Sequence, residues 1–289
     1  MKHIKIIFLA LSLCLLTACS SNQTKYVRNI LFDKDDGYRV AVEYYDFSSS
    51  DEEFKTVEIN GEDAEKLCVT LQQQFNFNYR LCENIFITPN LLVSDLNLVF
   101  NTAGSLQIPA AVNVRCFLGE DIPKTPKDEL IKTYLYNFSS QKGNVDGILT
   151  VYDENSVYGG AIVVSAGKPV KYIPENQWKI FNVITGDISD ISLKFREGRM
   201  YAKLEKCNAY FYGDDNLHLN FTVSLKEYKG VSDAVSSKKL LVDFLKREIE
   251  DSIYRLYNDV LTAEFCNLYW YADCKNIQNT EIDVNVTVI

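Results

Sequence analysis

The stretch Met1–Cys19 constrains this chain more than any later part of it. Lys2 and Lys5 open it with positive charge. Ile6 to Leu16 follows as a run of about eleven residues, nearly all apolar, and the small residues Thr17 and Ala18 lead into Cys19. A charged start, a short apolar core and a small-residue exit are the layout of a secretory signal. The core is too short to cross a bilayer as a helix, which takes ~20 apolar residues. The rest of the chain is therefore expected to fold outside the cell membrane.

The end of that signal, Leu16-Thr17-Ala18-Cys19, resembles the lipobox of bacterial lipoproteins. The resemblance implies a diacylglyceryl group on the Cys19 thiol, with palmitate as a marker of acylation, and a cut between Ala18 and Cys19. Residues 1–18 are then the lipoprotein signal peptide. One acyl chain holds a protein at a membrane only marginally, whereas two hold it stably, at ~0.8 kcal/mol per buried methylene. The polar residues 19–25 read as a tether, and folding is expected to begin near Tyr26.

Processing leaves about 270 of the 289 residues, a length that suggests two or three domains. With 47% apolar residues the chain can build real cores. Of the 30 Lys and Arg, two leave with the signal, so 28 bases face 39 acids. That balance argues against a nucleic-acid partner and against attachment through a basic patch. Membrane attachment falls to the acyl chains at Cys19.

Six cysteines remain beyond the anchor: Cys68, Cys82, Cys116, Cys207, Cys266 and Cys274. An exported chain with an even count can form disulfides. Buried free thiols are the other reading, and the sequence leaves both open. No C-x-x-C pair occurs, and His218 is the only histidine after processing, which excludes the usual zinc spacings.

Hydrophobic periodicity divides the chain into three parts. In 26–119, Tyr26–Phe32 and Tyr38–Tyr45 read as a hairpin around the acidic turn Asp33-Lys34-Asp35-Asp36-Gly37. Helices are expected over Glu62–Phe75 and Leu91–Phe100, and strands over Glu83–Thr88 and Pro109–Phe117. The acidic turn lacks calcium-loop spacing, because Gly37 is fifth and Tyr44 stands twelfth. In 124–188, a helix is expected over Lys127–Phe138, strands over Gly147–Tyr152 and Gly160–Ser165, and a helix over Pro174–Val183 stopped at Gly186. In 189–289, three strands form a meander (Asp190–Phe195, Met200–Tyr212, Leu217–Tyr228). A long helix over Lys238–Phe265 and a closing strand through Ile282, Val284, Val286 and Val288 follow. The predicted class is α+β, with three small mixed units. Each has a mainly antiparallel sheet packed with one or two helices, and the long helix lies near the C-terminus.

Candidates for chemistry are few. His218 alternates with Leu217, Leu219, Phe221 and Val223, so it is expected to point outward with Asn220 and Thr222 rather than act as a sheltered base. No G-x-S-x-G, G-x-x-x-x-G-K-[ST] or G-x-G-x-x-G occurs. Asp187 with Asp190, and Glu248, Glu250 and Asp251, are the acid groupings, and the last three read as a solvated helix face. Trp178 and Tyr269-Trp270-Tyr271 read as core or edge packing, with a partner patch as the other reading. No catalytic, cofactor-binding or metal residue is expected, which leaves Cys19 as the site residue.

Beyond the lipobox, the order of elements resembles the spore germinant receptor C-subunit lipoproteins, the Ger(x)C family, with this chain a divergent and short member. Four passages carry the resemblance. They are Ile30–Val42, with its apolar-Asp-Lys turn into a valine-rich strand; Gly61–Leu71 leading into Asn84-Ile85-Phe86-Ile87; Gly160–Val164 with Gly167-Lys168-Pro169 and Gly186; and Lys238–Phe265 with Ile282–Ile289. The resemblance implies a non-enzymatic subunit without cofactor, held on the outer face of the spore inner membrane beside integral membrane receptor subunits. A solute-binding lipoprotein of a transporter and an anchored envelope hydrolase are the competing readings.

Overall fold

The computed structural model describes residues 24–46, 54–73, 75–123, 133–141, 144–153, 158–195, 200–212, 218–230, 238–256 and 281–288. Cys19, the signal and most of the tether lie outside them, as do Cys266, Cys274 and Tyr269-Trp270-Tyr271.

The chain opens with the expected hairpin, β1 (Lys25–Lys34) and β2 (Tyr38–Tyr45), and adds β3 (Phe54–Gly61) antiparallel to β2. Helix α1 (Ala64–Gln73) and the short β4 (Phe77–Asn78) lead to β5 (Asn84–Ile87), which pairs parallel to β1. Helix α2 (Pro89–Ser105) crosses to β6 (Asn113–Phe117), parallel to β5. After β7 (Ser139–Gln141), β8 (Asn144–Tyr152) joins β6 in parallel, and β9 (Tyr158–Ser165) and β10 (Lys168–Ile173) continue antiparallel. The path β10-β9-β8-β6-β5-β1-β2-β3 is thus one mixed sheet, with four parallel strands at its centre. The rest is helix α3 (Glu175–Ile184), β11 (Ile191–Phe195), β12 (Met200–Tyr212), β13 (His218–Lys229), helix α4 (Lys238–Arg255) and β14 (Glu281–Val288). Strands β11 to β14 form a second mixed sheet, in which β14 runs parallel to β13.

This overturns the expectation of three small α+β units with mainly antiparallel sheets. Among the described residues the chain is mostly β, with fourteen strands against four α-helices arranged as two mixed sheets. The strands expected over Gly147–Tyr152 and Gly160–Ser165 in a second unit instead extend the first sheet, because β8 has an apolar face on each side. Ile148 and Tyr152 face one core while Leu149 and Val151 face the other. The last part of the chain, expected as a small unit with a long helix, is a four-stranded mixed sheet with α4 over Lys238–Arg255, and residues 257–265 of the expected Lys238–Phe265 helix lie outside the described residues. The expected helix over Lys127–Phe138 is corrected as well. Its described part, from Thr133, is a bridge to Asn113, a 3-10 turn at Leu135–Asn137 and then β7.

Two apolar cores hold these layers. One lies between the large sheet and helices α1 and α2, with Ile30, Phe32, Ile85, Ile87, Leu91, Val99 and Leu149 at its centre. The other joins the opposite face of that sheet to α3, α4 and the inner face of the second sheet. Helix α4 contributes Leu241, Leu245, Ile249 and Ile253, its expected stripe. Trp178 of α3 is buried there, its ring stacked on Phe181 at 5.3 Å. Gly160, Gly167 and Gly186 all have positive φ.

Candidate functional site: a groove at the carboxyl ends of the parallel strands

Parallel strands end together, so the loops that follow them share one edge of the sheet, where α/β folds commonly build ligand clefts. Here β1, β5 and β6 end at Lys34, Ile87 and Phe117. A groove of about 930 Å³ opens over these ends, lined by the Asp33–Arg39 turn, Asn60–Glu62, Thr88–Asn90 and Leu118–Glu120. Five of its lining residues are acids: Asp33, Asp35, Asp36, Glu62 and Glu120.

Asp33 anchors the wall. Its Oδ1 accepts from the Lys34 backbone N–H at 2.8 Å and from the Thr88 hydroxyl at 2.5 Å. Its Oδ2 lies 3.2 Å from Arg39 Nη2. This pairing follows from the hairpin register, which sets Asp33 opposite Arg39. Arg39 also reaches Glu58 of β3 at 3.4 Å and donates to the Glu120 carbonyl. One guanidinium therefore ties β1, β2, β3 and the loop after β6. Beside it, Lys34 Nζ donates to the Tyr38 hydroxyl at 3.2 Å, and that hydroxyl donates to Asp95 Oδ2 at 2.9 Å. Asp95 is where α2 is interrupted, with φ −160° and ψ 58°. Gly37 packs close to Gly61, since a Cβ there would stand 3.2 Å from the Gly61 carbonyl oxygen.

The charged groups lining the groove are chiefly carboxylates. Its Asp33–Arg39 pair is engaged with neighbouring side chains and backbone, and no histidine lines it. No group of three or more His, Cys, Asp or Glu suited to a metal ion occurs among the described residues.

The other sequence candidates lie elsewhere. His218, at the start of β13, is half-buried on the outward face; its Nδ1 is 3.2 Å from Glu281 and its ring stacks on Tyr212. Asp187 accepts from the Thr185 hydroxyl within a local turn, whereas Asp190 accepts from the Lys206 N–H of β12. Glu250 on α4 lies 3.9 Å from Lys246. Cys82, Cys116 and Cys207 are free thiols, all buried. The groove itself escaped sequence reading. Asp33–Gly37 is visible as an acidic turn, but nothing local says that Thr88 and Glu120, 55 and 87 residues after Asp33, meet it.

Arg115 lies in the centre of β6. It is 2% exposed, its Nε and Nη1 have no hydrogen-bond partner, and its guanidinium sits 4.7 Å above the Tyr152 ring.

No family model matches the sequence, and no curated protein matches it. A solved structure does. The crystal structure of the GerBC protein superposes with a TM-score of 0.51 over 90% of this chain and 96% of that one. This chain has the GerBC fold. At 10% identity the likeness is one of fold. That fold agrees with the Ger(x)C resemblance read from the sequence.

Proposed function

We propose that this chain is a membrane-anchored, non-enzymatic lipoprotein subunit of a spore germinant receptor, acting in spore germination beside integral membrane subunits. The observation that carries the reading is the GerBC fold over 90% of the chain. The signal ending at Cys19 supports the anchor, and residues 1–18 would be lost on processing. No helix among the described residues is long and apolar enough to cross a membrane, which is compatible with attachment through Cys19. The absence of catalytic motifs from the sequence, and of histidine from the groove, favours a receptor or scaffold role over hydrolysis.

The test compares the wild-type chain with Cys19→Ala in the native spore former. Wild type is expected to incorporate labelled palmitate and to sediment with spore inner membrane. Cys19→Ala should do neither, and its spores should respond weakly to germinant. Normal germination after deletion of the whole gene would overturn the receptor role.

The groove favours one second reading, a solute-binding lipoprotein. A polar small molecule that raises the melting temperature, and no longer does so in Arg39→Ala, would favour that reading.

A further inference from the structure

The groove carries more negative charge than its own cations neutralise. Over the loops that shape it, residues 33–39, 60–63, 88–90 and 118–123, the acids are Asp33, Asp35, Asp36, Glu62, Asp63, Glu120 and Asp121, and the bases are Lys34 and Arg39. Both bases are engaged. Arg39 is held by Asp33, Glu58 and the Glu120 carbonyl, and Lys34 Nζ lies 4.6 Å over the Tyr38 ring. Asp35, Asp36, Glu62 and Glu120 are exposed, and none has an ion-pair or side-chain hydrogen-bond partner among the described residues. The sequence that continues from Pro123, Lys124 to Lys132, brings three bases and two acids, so acids keep the majority at this end.

These carboxylates are spread along the groove rather than gathered at a point. They come from the loops after β1, β3 and β6, and no three acids among the described residues are placed to hold one metal ion. Such a row suits a ligand with several cationic groups along its length. The first turn of α2 forms the remaining wall. Thr88 gives its hydroxyl to Asp33 instead of capping the helix, and no acid stands in that turn. The turn therefore keeps uncapped N–H donors, which suit a backbone carbonyl. A small polyamine has no such acceptor, whereas a polypeptide has one at each residue. The rim is apolar at two places. Leu118, 53% exposed, lines the groove, and Val93, 66% exposed, lines a depression of about 430 Å³ that shares Asp35, Pro89 and Asn90 with it. Apolar contact flanked by charge is the make-up of a protein interface.

We infer that the groove takes a basic, extended segment of a partner polypeptide. Its Lys or Arg side chains pair with Asp35, Asp36, Glu62 and Glu120, one of its carbonyls accepts from the first turn of α2, and its apolar side chains rest on Leu118 and Val93. The inference rests on the receptor-subunit reading, in which this chain works beside other polypeptides, and adds the place where one of them is gripped. The contact weakens with salt, because exposed ion pairs are screened.

The test uses the full chain and a fluorescein-labelled peptide of repeated Lys-Ser-Leu, followed by fluorescence anisotropy at low salt. Two triple variants are compared: D35N/D36N/E62Q in the groove, and D243N/E248Q/D251N on α4, which removes the same charge elsewhere. The groove variant is expected to bind about tenfold more weakly than wild type, and the α4 variant to stay within about twofold of it. L118S should weaken the Lys-Ser-Leu peptide and leave a Lys-Ser-Ser peptide unchanged. Equal losses in the two triple variants, or no binding by wild type, overturn the site. Displacement by spermine at concentrations equal to the peptide's own overturns the polypeptide occupant and assigns the groove to a small polyamine. In spores, the groove variant should take up palmitate and sediment with membrane as wild type does, yet respond weakly to germinant. If gene deletion abolishes the response and the groove variant responds fully, the receptor reading stands and this site falls. If deletion changes nothing, both fall.

Discussion

Gly160 makes a demanding test of the packing between β9, β10 and α3. Its φ is +97°, and a Cβ built on it would stand 2.1 Å from the Ile173 carbonyl oxygen and 3.1 Å from the Glu175 nitrogen. Both are backbone atoms, so no rotamer change can relieve the contact. The Tyr172 hydroxyl, which donates to the Gly159 carbonyl, closes the space from the side. For Gly160→Ala the left-handed backbone alone costs about 1–2 kcal/mol. Forcing β10 away from β9 adds about 1–3 kcal/mol of overpacking. The expected loss is about 2–5 kcal/mol. Gly186, just past the end of α3, supplies the control. Its φ is +80°, but a Cβ there meets nothing within 4 Å, so Gly186→Ala should lose about 1–2 kcal/mol from strain alone. Urea unfolding followed by tryptophan fluorescence reads both variants, since Trp178 is buried in the helix that follows β10. Equal losses for the two, or a Gly160→Ala loss below about 1 kcal/mol, would refute the claim that Gly160 is fixed by contact as well as by backbone conformation.

Two further predictions concern buried polar groups. Arg115→Met keeps the length of the side chain and removes a charge whose Nε and Nη1 are unpaired; stability is expected to hold or to rise by about 1–3 kcal/mol in urea unfolding. Arg115→Ala, which empties the site, is expected to lose about 2 kcal/mol or more, and the reverse ranking would disprove the reasoning. Burial pushes the thiols of Cys82, Cys116 and Cys207 up to about 12, from an ordinary value of 9.0. At pH 8 they should resist Ellman's reagent in the folded chain and react in urea. Between pH 9 and 12 the unfolded chain releases these protons while the folded chain keeps them. Stability should therefore fall as pH rises through that window, and a flat profile there would count against the burial of these thiols.

The sequence by itself determined what depends on neighbours a few residues apart. The alternation in Met200–Tyr212 and Leu217–Tyr228 marks β12 and β13, and the helical stripe at Leu241, Leu245, Ile249 and Ile253 marks the buried face of α4. The outward placement of His218 with Asn220 and Thr222 is legible for the same reason. Local pattern is weak where a strand buries little. β3 buries Ile59 and β10 buries Ile173, so neither edge strand carries a strand pattern in the sequence, and it is backbone pairing to β2 and β9 that makes them strands.

Tertiary structure alone decided how the strands combine. Alternation says which face of a strand is buried but not which strand lies beside it. The parallel pairings of β1, β5, β6 and β8, and of β13 with β14, join residues tens of positions apart. In the large sheet such pairings form because strands apolar on both faces are covered on both sides, by α1 and α2 on one face and by the core shared with the second sheet on the other. The groove follows from that choice, since parallel strands bring Asp33, Thr88 and Glu120 to one edge, a meeting no stretch of sequence encodes locally.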